Sequence, residues 1–363
     1  MPAEPERDMN FDELPQEARE AILQLQRKEA ERIRRYGHVR PPISIEHQGR
    51  KFVAIGSRLL HSGNWKTFHD FLIAYIATVF TGDWGNAEIK KPFSQRHPIL
   101  QWYHRLCEFQ QKHIQEVGKI YSAIMTGPVK AYIALAYDLY TLEHHALLQE
   151  KLIKRLKIQG QFQGARYETY VAAAFIRAGF DVELEDEDDP TTSHCEFAAA
   201  HNGTGSRFSV EAKSRHRPGF LGHPGDPKPL LAIQADILQL LQRSLRKKAD
   251  HDRIVFIDVN VPPEDATLFE TGWFKKIMKQ LNRLEANQSA DEPWPPAFVF
   301  FTNHPYHYVG VDVSEPGQST LFTAINIPEF KQPDPEIIKQ KYPPLDQLLN
   351  SVLNHTQIPN ELE

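Results

Sequence analysis

Arg207-Phe-Ser-Val-Glu-Ala-Lys-Ser-Arg-His216 reads as a short strand. Side chains alternate across a strand, so Phe208, Val210 and Ala212 share one face while Ser209, Glu211 and Lys213 share the other. A carboxylate and an ammonium two residues apart on a half-apolar strand suit chemistry at a phosphate. Glu211 can hold a hard divalent cation through oxygen, and Lys213 can orient or deprotonate water and balance developing charge. Alone, Glu-x-Lys also occurs on many solvated strand faces. The elements on either side give it weight.

Upstream, Asn202-Gly-Thr-Gly205 is a hairpin turn signal, and residues 195–200, Cys-Glu-Phe-Ala-Ala-Ala, form the strand before it. Earlier still, residues 165–178 place Tyr167, Tyr170, Val171, Ala174, Phe175 and Ala178 on one helical stripe with Glu168 at its edge. Gly179 ends that helix and a strand over 180–184 follows. It runs into the acidic turn Glu183-Leu-Glu-Asp-Glu-Asp-Asp189 before Pro190. Downstream come a Gly/Pro loop over 217–226, a helix over 230–248, an apolar strand over 253–259, a helix over 265–286 and an apolar strand over 297–302. The Gly/Pro loop, with Arg215, Arg217 and His223 near a passing phosphate backbone, is expected to be mobile until nucleic acid binds.

Residues 1–160 read as a mostly helical region with one short β-hairpin. Its helices fall over 11–36, 65–80, 100–122 and 132–158, and its hairpin over 43–47 and 51–55. Residues 161–326 form the α/β domain, and 327–363 a proline-rich tail wrapping the surface with one short helix. Hydrophobic residues make up 41% and charged residues 25% of the 363, an ordinary globular mix. No apolar run reaches membrane-spanning length and the N-terminus shows no signal-peptide core, which points to a cytoplasmic protein with no membrane partner. Two cysteines, Cys107 and Cys195, exclude a disulfide framework and a thiolate zinc site. A net charge of −5 speaks against bulk electrostatic binding of nucleic acid but allows a local basic groove.

With Glu168, Glu196, Glu211 and Lys213 on those elements, residues 161–302 resemble the PD-(D/E)XK nuclease superfamily, the restriction-endonuclease-like fold. Its first helix, three-stranded meander, crossover helix and parallel strand correspond to the α-β-β-β-α-β order here. The resemblance implies that Glu196 and Glu211, with the backbone carbonyl of Ala212, hold Mg²⁺ or Mn²⁺. It also implies that Lys213 holds the attacking water and scissile phosphate, that Glu168 binds the metal through water or completes a second site, and that Gln234 supports them from the crossover helix. Arg215 and Arg217 would touch phosphates. The implied activity is metal-dependent phosphodiester hydrolysis, on DNA rather than RNA. One departure stands out: the first acidic position is Cys195-Glu196, where the family usually has aspartate, so Asp186 or Asp188 is an alternative ligand.

A catalytically inactive nuclease-fold protein, acting as a nucleic-acid-binding or protein-interaction scaffold, is the competing reading. The helical region could carry a homodimer or protein-partner contact. His304 and His307, separated by Pro-Tyr, read as loop or ring-packing residues, and Cys195 as a small buried one. The basic groups Lys151, Lys154, Arg155, Lys157 and Arg243, Arg246, Lys247, Lys248 read as solvated helix ends within reach of phosphates.

Overall fold

In a computed structural model of the chain, the structure describes residues 11–116, 118–184, 195–289, 291–310, 317–331 and 334–362. Asp186, Asp188 and most of the acidic turn lie outside the described residues.

The N-terminal part begins with helix α1 (Gln16–Tyr36) and a three-stranded antiparallel sheet, β1 (Ile43–His47), β2 (Arg50–Ile55) and β3 (Arg58–Ser62). The third strand was not expected. Its Gly56 turn and half-buried alternation, Leu60 inward and Leu59 outward, extend the hairpin. Helices α2 (Phe68–Phe80), α3 (Gly82–Ile89), α4 (Pro98–His113), α5 (Gly127–His144) and α6 (Glu150–Lys157) follow. The long helix expected over 132–158 is therefore two. Ala146 takes a left-handed φ of 58°, and the Leu147 N–H donates back to the Leu142 carbonyl at 2.8 Å, closing α5.

Helix α7 (Gln159–Arg177) lies at the centre. Its first buried residues, Phe162 and Ala165, join the aromatic core made by α2, α4 and α5. From Tyr167 onward it packs on the larger sheet. Five alanines (165, 172, 173, 174 and 178) let neighbours approach it closely on several sides.

That sheet contains β4 (Phe180–Leu184), β5 (Phe197–His201), β6 (Arg207–Ser214), then, after α8 (Leu238–Arg246), β7 (Asp252–Asp258), and after α9 (Gly272–Ala286), β8 (Ala297–Asn303) and β9 (Ser319–Ile325). The spatial order is β4-β5-β6-β7-β8-β9. β6–β7 and β7–β8 are parallel and the other pairs antiparallel. The class is α/β with a six-stranded mixed sheet. Phe208, Val210 and Ala212 face α7, with Phe256 and Phe300. Val255, Ile257, Val299 and Phe301 face α8 and α9 on the other side.

Helices α10 (Pro335–Lys341) and α11 (Pro343–Leu353) end the chain. The tail does more than wrap the surface: Leu345, Leu348 and Val352 are fully buried against α7, and Ser351 Oγ donates to the Ala174 carbonyl at 2.7 Å. No helix among the described residues is long and apolar enough to cross a membrane.

Candidate active site at the fork of β5 and β6

Register brings the acidic pair together. Phe197 stands opposite Val210, the last pair of the β5–β6 register, and the Glu196 N–H also bonds the Val210 carbonyl at 2.9 Å, which leaves Glu196 beside Glu211 where the two chains part. Like charges directly opposite one another repel and require a cation. Lys213 supplies it, with Nζ 2.5 Å from Glu196 Oε1 and 2.8 Å from Glu211 Oε1. These two contacts to one ammonium hold the carboxylates within about 5 Å of each other, close enough to share a small cation. Lys247, just past the end of α8, adds a second ammonium 3.0 Å from Glu211 Oε2 and 3.7 Å from Glu196 Oε1.

Glu211 has no solvent exposure, and its two oxygens face the two ammonium groups, Lys213 at 2.8 Å and Lys247 at 3.0 Å. Burial pushes the Glu211 pKa upward, and Lys213 offsets this only in part. Burial also works against the Glu196 carboxylate, but Lys213, by charge and hydrogen bond, holds its pKa below the ordinary value. For Lys213 itself burial disfavours the ammonium, and the attraction of Glu211 and Glu196 outweighs it, raising the pKa. The pair and the lysine titrate as one unit.

Glu168 approaches from α7. It shares a narrow cleft with Glu196, Leu184 and Phe197 where β5 begins. Arg155 of α6 grips it with both terminal nitrogens, at 2.6 and 2.7 Å. Burial raises the Glu168 pKa, with the Arg155 hydrogen bond pulling it back.

Val210 O accepts the Glu196 N–H at 2.9 Å, so it points toward β5. Carbonyls two residues apart point the same way along a strand, so the Ala212 carbonyl points to the same side, beyond Phe197, where β5 begins among the described residues. Two carboxylates and the Ala212 carbonyl form an oxygen donor set of the kind that suits Mg²⁺ or Mn²⁺. Among the described residues no three His, Cys, Asp or Glu side chains stand close enough to form a cage by themselves. A cation here would rely on backbone oxygen and water, and would have to displace the lysine ammoniums.

Gln234 is not brought to this group. The crossover helix starts only at Leu238, after a short 3-10 turn at Leu230–Ala232, leaving Gln234 in the preceding loop, exposed, with its side-chain oxygen taken by Lys276 of α9. Arg217 is also committed elsewhere. It is buried, pairs with Asp236 at 3.1 Å and donates to the carbonyls of Asn260, Gln234 and Val259. It therefore anchors the Gly/Pro loop, with four of its five N–H donors engaged within the protein. Gln163 ties the same loop down through the Arg217 N–H and the Phe220 carbonyl, and Phe220 stacks on Tyr308 at 3.9 Å. Arg215 is half-exposed and paired with Asp236 at 2.7 Å.

Two residues at the site carried only a faint signal. Arg155 and Lys247 belong to the basic helix ends noted in the sequence, and each turns inward onto a carboxylate. His304 and His307 pack as rings, against Tyr170 at 4.7 Å and Trp102 at 5.4 Å. Cys195 is buried, its thiol pushed up to about 11 by desolvation. Behind the site, Asp258 at the end of β7 pairs with the buried Arg166 at 2.8 Å and accepts from Ser214 Oγ at 3.1 Å. Compared with known proteins, the chain matches no protein-family model, no curated protein and no solved structure.

Proposed function

We propose that the chain is a metal-dependent phosphodiesterase of the PD-(D/E)XK type acting on nucleic acid, DNA before RNA. The observation that carries this reading is the pairing of Glu196 and Glu211 across the β5–β6 fork with Lys213 between them. The restriction-endonuclease-like order of α7, β4, β5, β6, α8 and β7 supports it.

Glu196, Glu211 and the Ala212 carbonyl would hold the divalent cation. When bound, such an ion supplies charge stabilisation at a phosphate and a more acidic water. Released from its carboxylates, Lys213 donates hydrogen bonds to a phosphate oxygen and orients the incoming water. Arg155 grips Glu168 beside Glu196, and the basic ends of α6 and α8 flank the fork from two sides, where a polyanion gains from them.

A second reading, a non-catalytic nuclease-fold scaffold, is favoured by one observation: two lysines already neutralise the two carboxylates. A partner contact through residues 1–160 fits either reading, because Leu23 and Leu25 of α1 are exposed. Cleavage of plasmid and single-stranded DNA with Mg²⁺ or Mn²⁺ separates the two readings. The intact chain should nick DNA, and Glu211→Gln should lose on the order of 10²-fold or more in rate. Absence of any metal-dependent cleavage by the intact chain would leave the scaffold reading standing.

A further inference from the structure

An antiparallel sheet with one covered face normally alternates apolar-in with polar-out. The sheet of β1, β2 and β3 does not. Val53, Ile55 and Leu60 meet the aromatic core on its inner face. Register then sets His47 beside Arg50, Ile45 beside Phe52 and His61, and Ile43 beside Ala54 and Leu59 on the outer face. Ile43, Ile45 and Leu59 are 65%, 67% and 64% exposed, and Phe52 and Ala54 are half-buried. Phe52 stands in the central strand yet belongs to none of the three cores. Its ring lies 5.3 Å from that of the exposed His61, tilted by 37°, and the Arg50 guanidinium is 3.4 Å from His61 Nδ1. Single apolar residues on a surface are ordinary, but five of them in two adjacent rows form a patch.

A second copy of the chain is the first occupant to weigh. The apolar patch covers on the order of 300 Å², in the range of functional patches but well short of the ~800 Å² that each partner buries in a stable protein complex. Charge points instead to a polyanion. Residues 40–66 carry Arg40, Arg50, Lys51, Arg58 and Lys66 against Glu46 alone, a net +4 in a chain whose total is −5. Arg58 is spent on Glu143, and the other four remain for a ligand or solvent. Glu46 alternates to the inner side, so none of the outer-face residues is acidic. A sheet face with aromatic and aliphatic side chains takes the unstacked bases of a single strand, while basic groups at its rim meet the phosphates. A duplex keeps its bases stacked inside and gains little from such a face.

We propose that the outer face of β1–β3 is a platform for single-stranded nucleic acid. Bases pack on Phe52, His61 and their exposed aliphatic neighbours, and Arg50 at the hairpin tip takes a phosphate. The platform shares no residue with the β5–β6 fork, so it stands whether or not the fork cleaves. Fluorescence anisotropy on the full chain in EDTA tests it, at about 50 mM salt, with labelled oligothymidylate of about 12 nucleotides and an abasic strand of the same length. Oligothymidylate should bind saturably, and the abasic strand at least about 10-fold more weakly, because stacking is lost. The double variant Phe52→Thr with His61→Thr keeps strand propensity and touches no core. It should hold the wild-type unfolding midpoint within about 1 °C and lose about 10-fold or more in affinity. Arg50→Ala, a change at the surface, should lose about 5-fold. No saturable oligothymidylate binding with a Kd below about 100 μM would overturn the proposal. So would an abasic strand that binds as tightly, or undiminished affinity in either variant. Light scattering tests the competing occupant: a wild-type dimer that the double variant dissociates would assign the face to a second copy and sink the proposal.

Discussion

Replacing Lys213 with alanine in the metal-free protein should destabilise it in a pH-dependent way. The side chain is 29% exposed and its ammonium sits between a fully buried Glu211 and a nearly buried Glu196. Removing one partner of a buried ion pair costs about 3–5 kcal/mol. Here Lys247 remains 3.0 Å from Glu211, so about 2–4 kcal/mol is expected near neutral pH. For a chain of this length that is a fall of about 3–5 °C in the unfolding midpoint. Without Lys213, burial and Glu196 push on Glu211 with only Lys247 to offset them, so its already raised folded pKa moves further above the ordinary 4.5. A carboxylate with a raised folded pKa is least costly below its unfolded value. The penalty is therefore complete well above the folded pKa and disappears as pH falls toward 4.5. In wild type Lys213 partly offsets the upward push on Glu211, and the lowered pKa of Glu196 gives stability that is present above 4.5 and lost only as pH falls below it. Thermal melts of both proteins in EDTA, at about pH 7.5 and about pH 5, read this directly. The gap between them should shrink by more than half at the lower pH. An equal gap at both, or a gap under about 1 °C, would refute the reasoning.

Arg155→Met should cost about 1–3 kcal/mol, since it strips Glu168 of both its hydrogen bonds in a largely buried setting; a midpoint unchanged within error would show that the pair is incidental. Asp258→Asn leaves the buried Arg166 without its counter-charge and should cost about 3–5 kcal/mol in urea unfolding. Burial opposes the Asp258 charge, but His304, Arg166 and Ser214 hold its pKa below 3.8, so that stability is present above 3.8 and lost as pH falls through the lower folded value. The variant's own acid unfolding should accordingly be shallower than that of wild type. Gln234→Ala should leave metal-dependent DNA cleavage within about 2-fold of wild type and the midpoint within about 1 °C, because its side chain bonds only Lys276 at the surface; a 10-fold loss would place Gln234 at the site after all.

The meander was legible in the sequence because its information is local. Period-two alternation in 207–213 and the Asn202–Gly205 turn together specify a register that ends at Phe197 and Val210, the residues next to Glu196 and Glu211. The strand over 180–184 follows a glycine, and those over 253–259 and 297–302 are continuously apolar in the middle, the pattern of strands covered on both faces. Strand β9 was missed: Ser319–Ile325 is half-buried along most of its length, so its alternation is weak, and its place comes from pairing with β8. Tertiary packing also decided which basic residues meet the acids. Arg155 and Lys247 sit in runs of similar lysines and arginines, and nothing local separates them from solvated neighbours. Only the orientation of α6 against α7, and the place where α8 stops above β6, turn these two inward. The same holds for Arg217, whose charge suggested a phosphate while burial beneath its loop committed it to carbonyls. Backbone periodicity is written in neighbouring residues, whereas a long side chain's partner depends on which distant element folds over it.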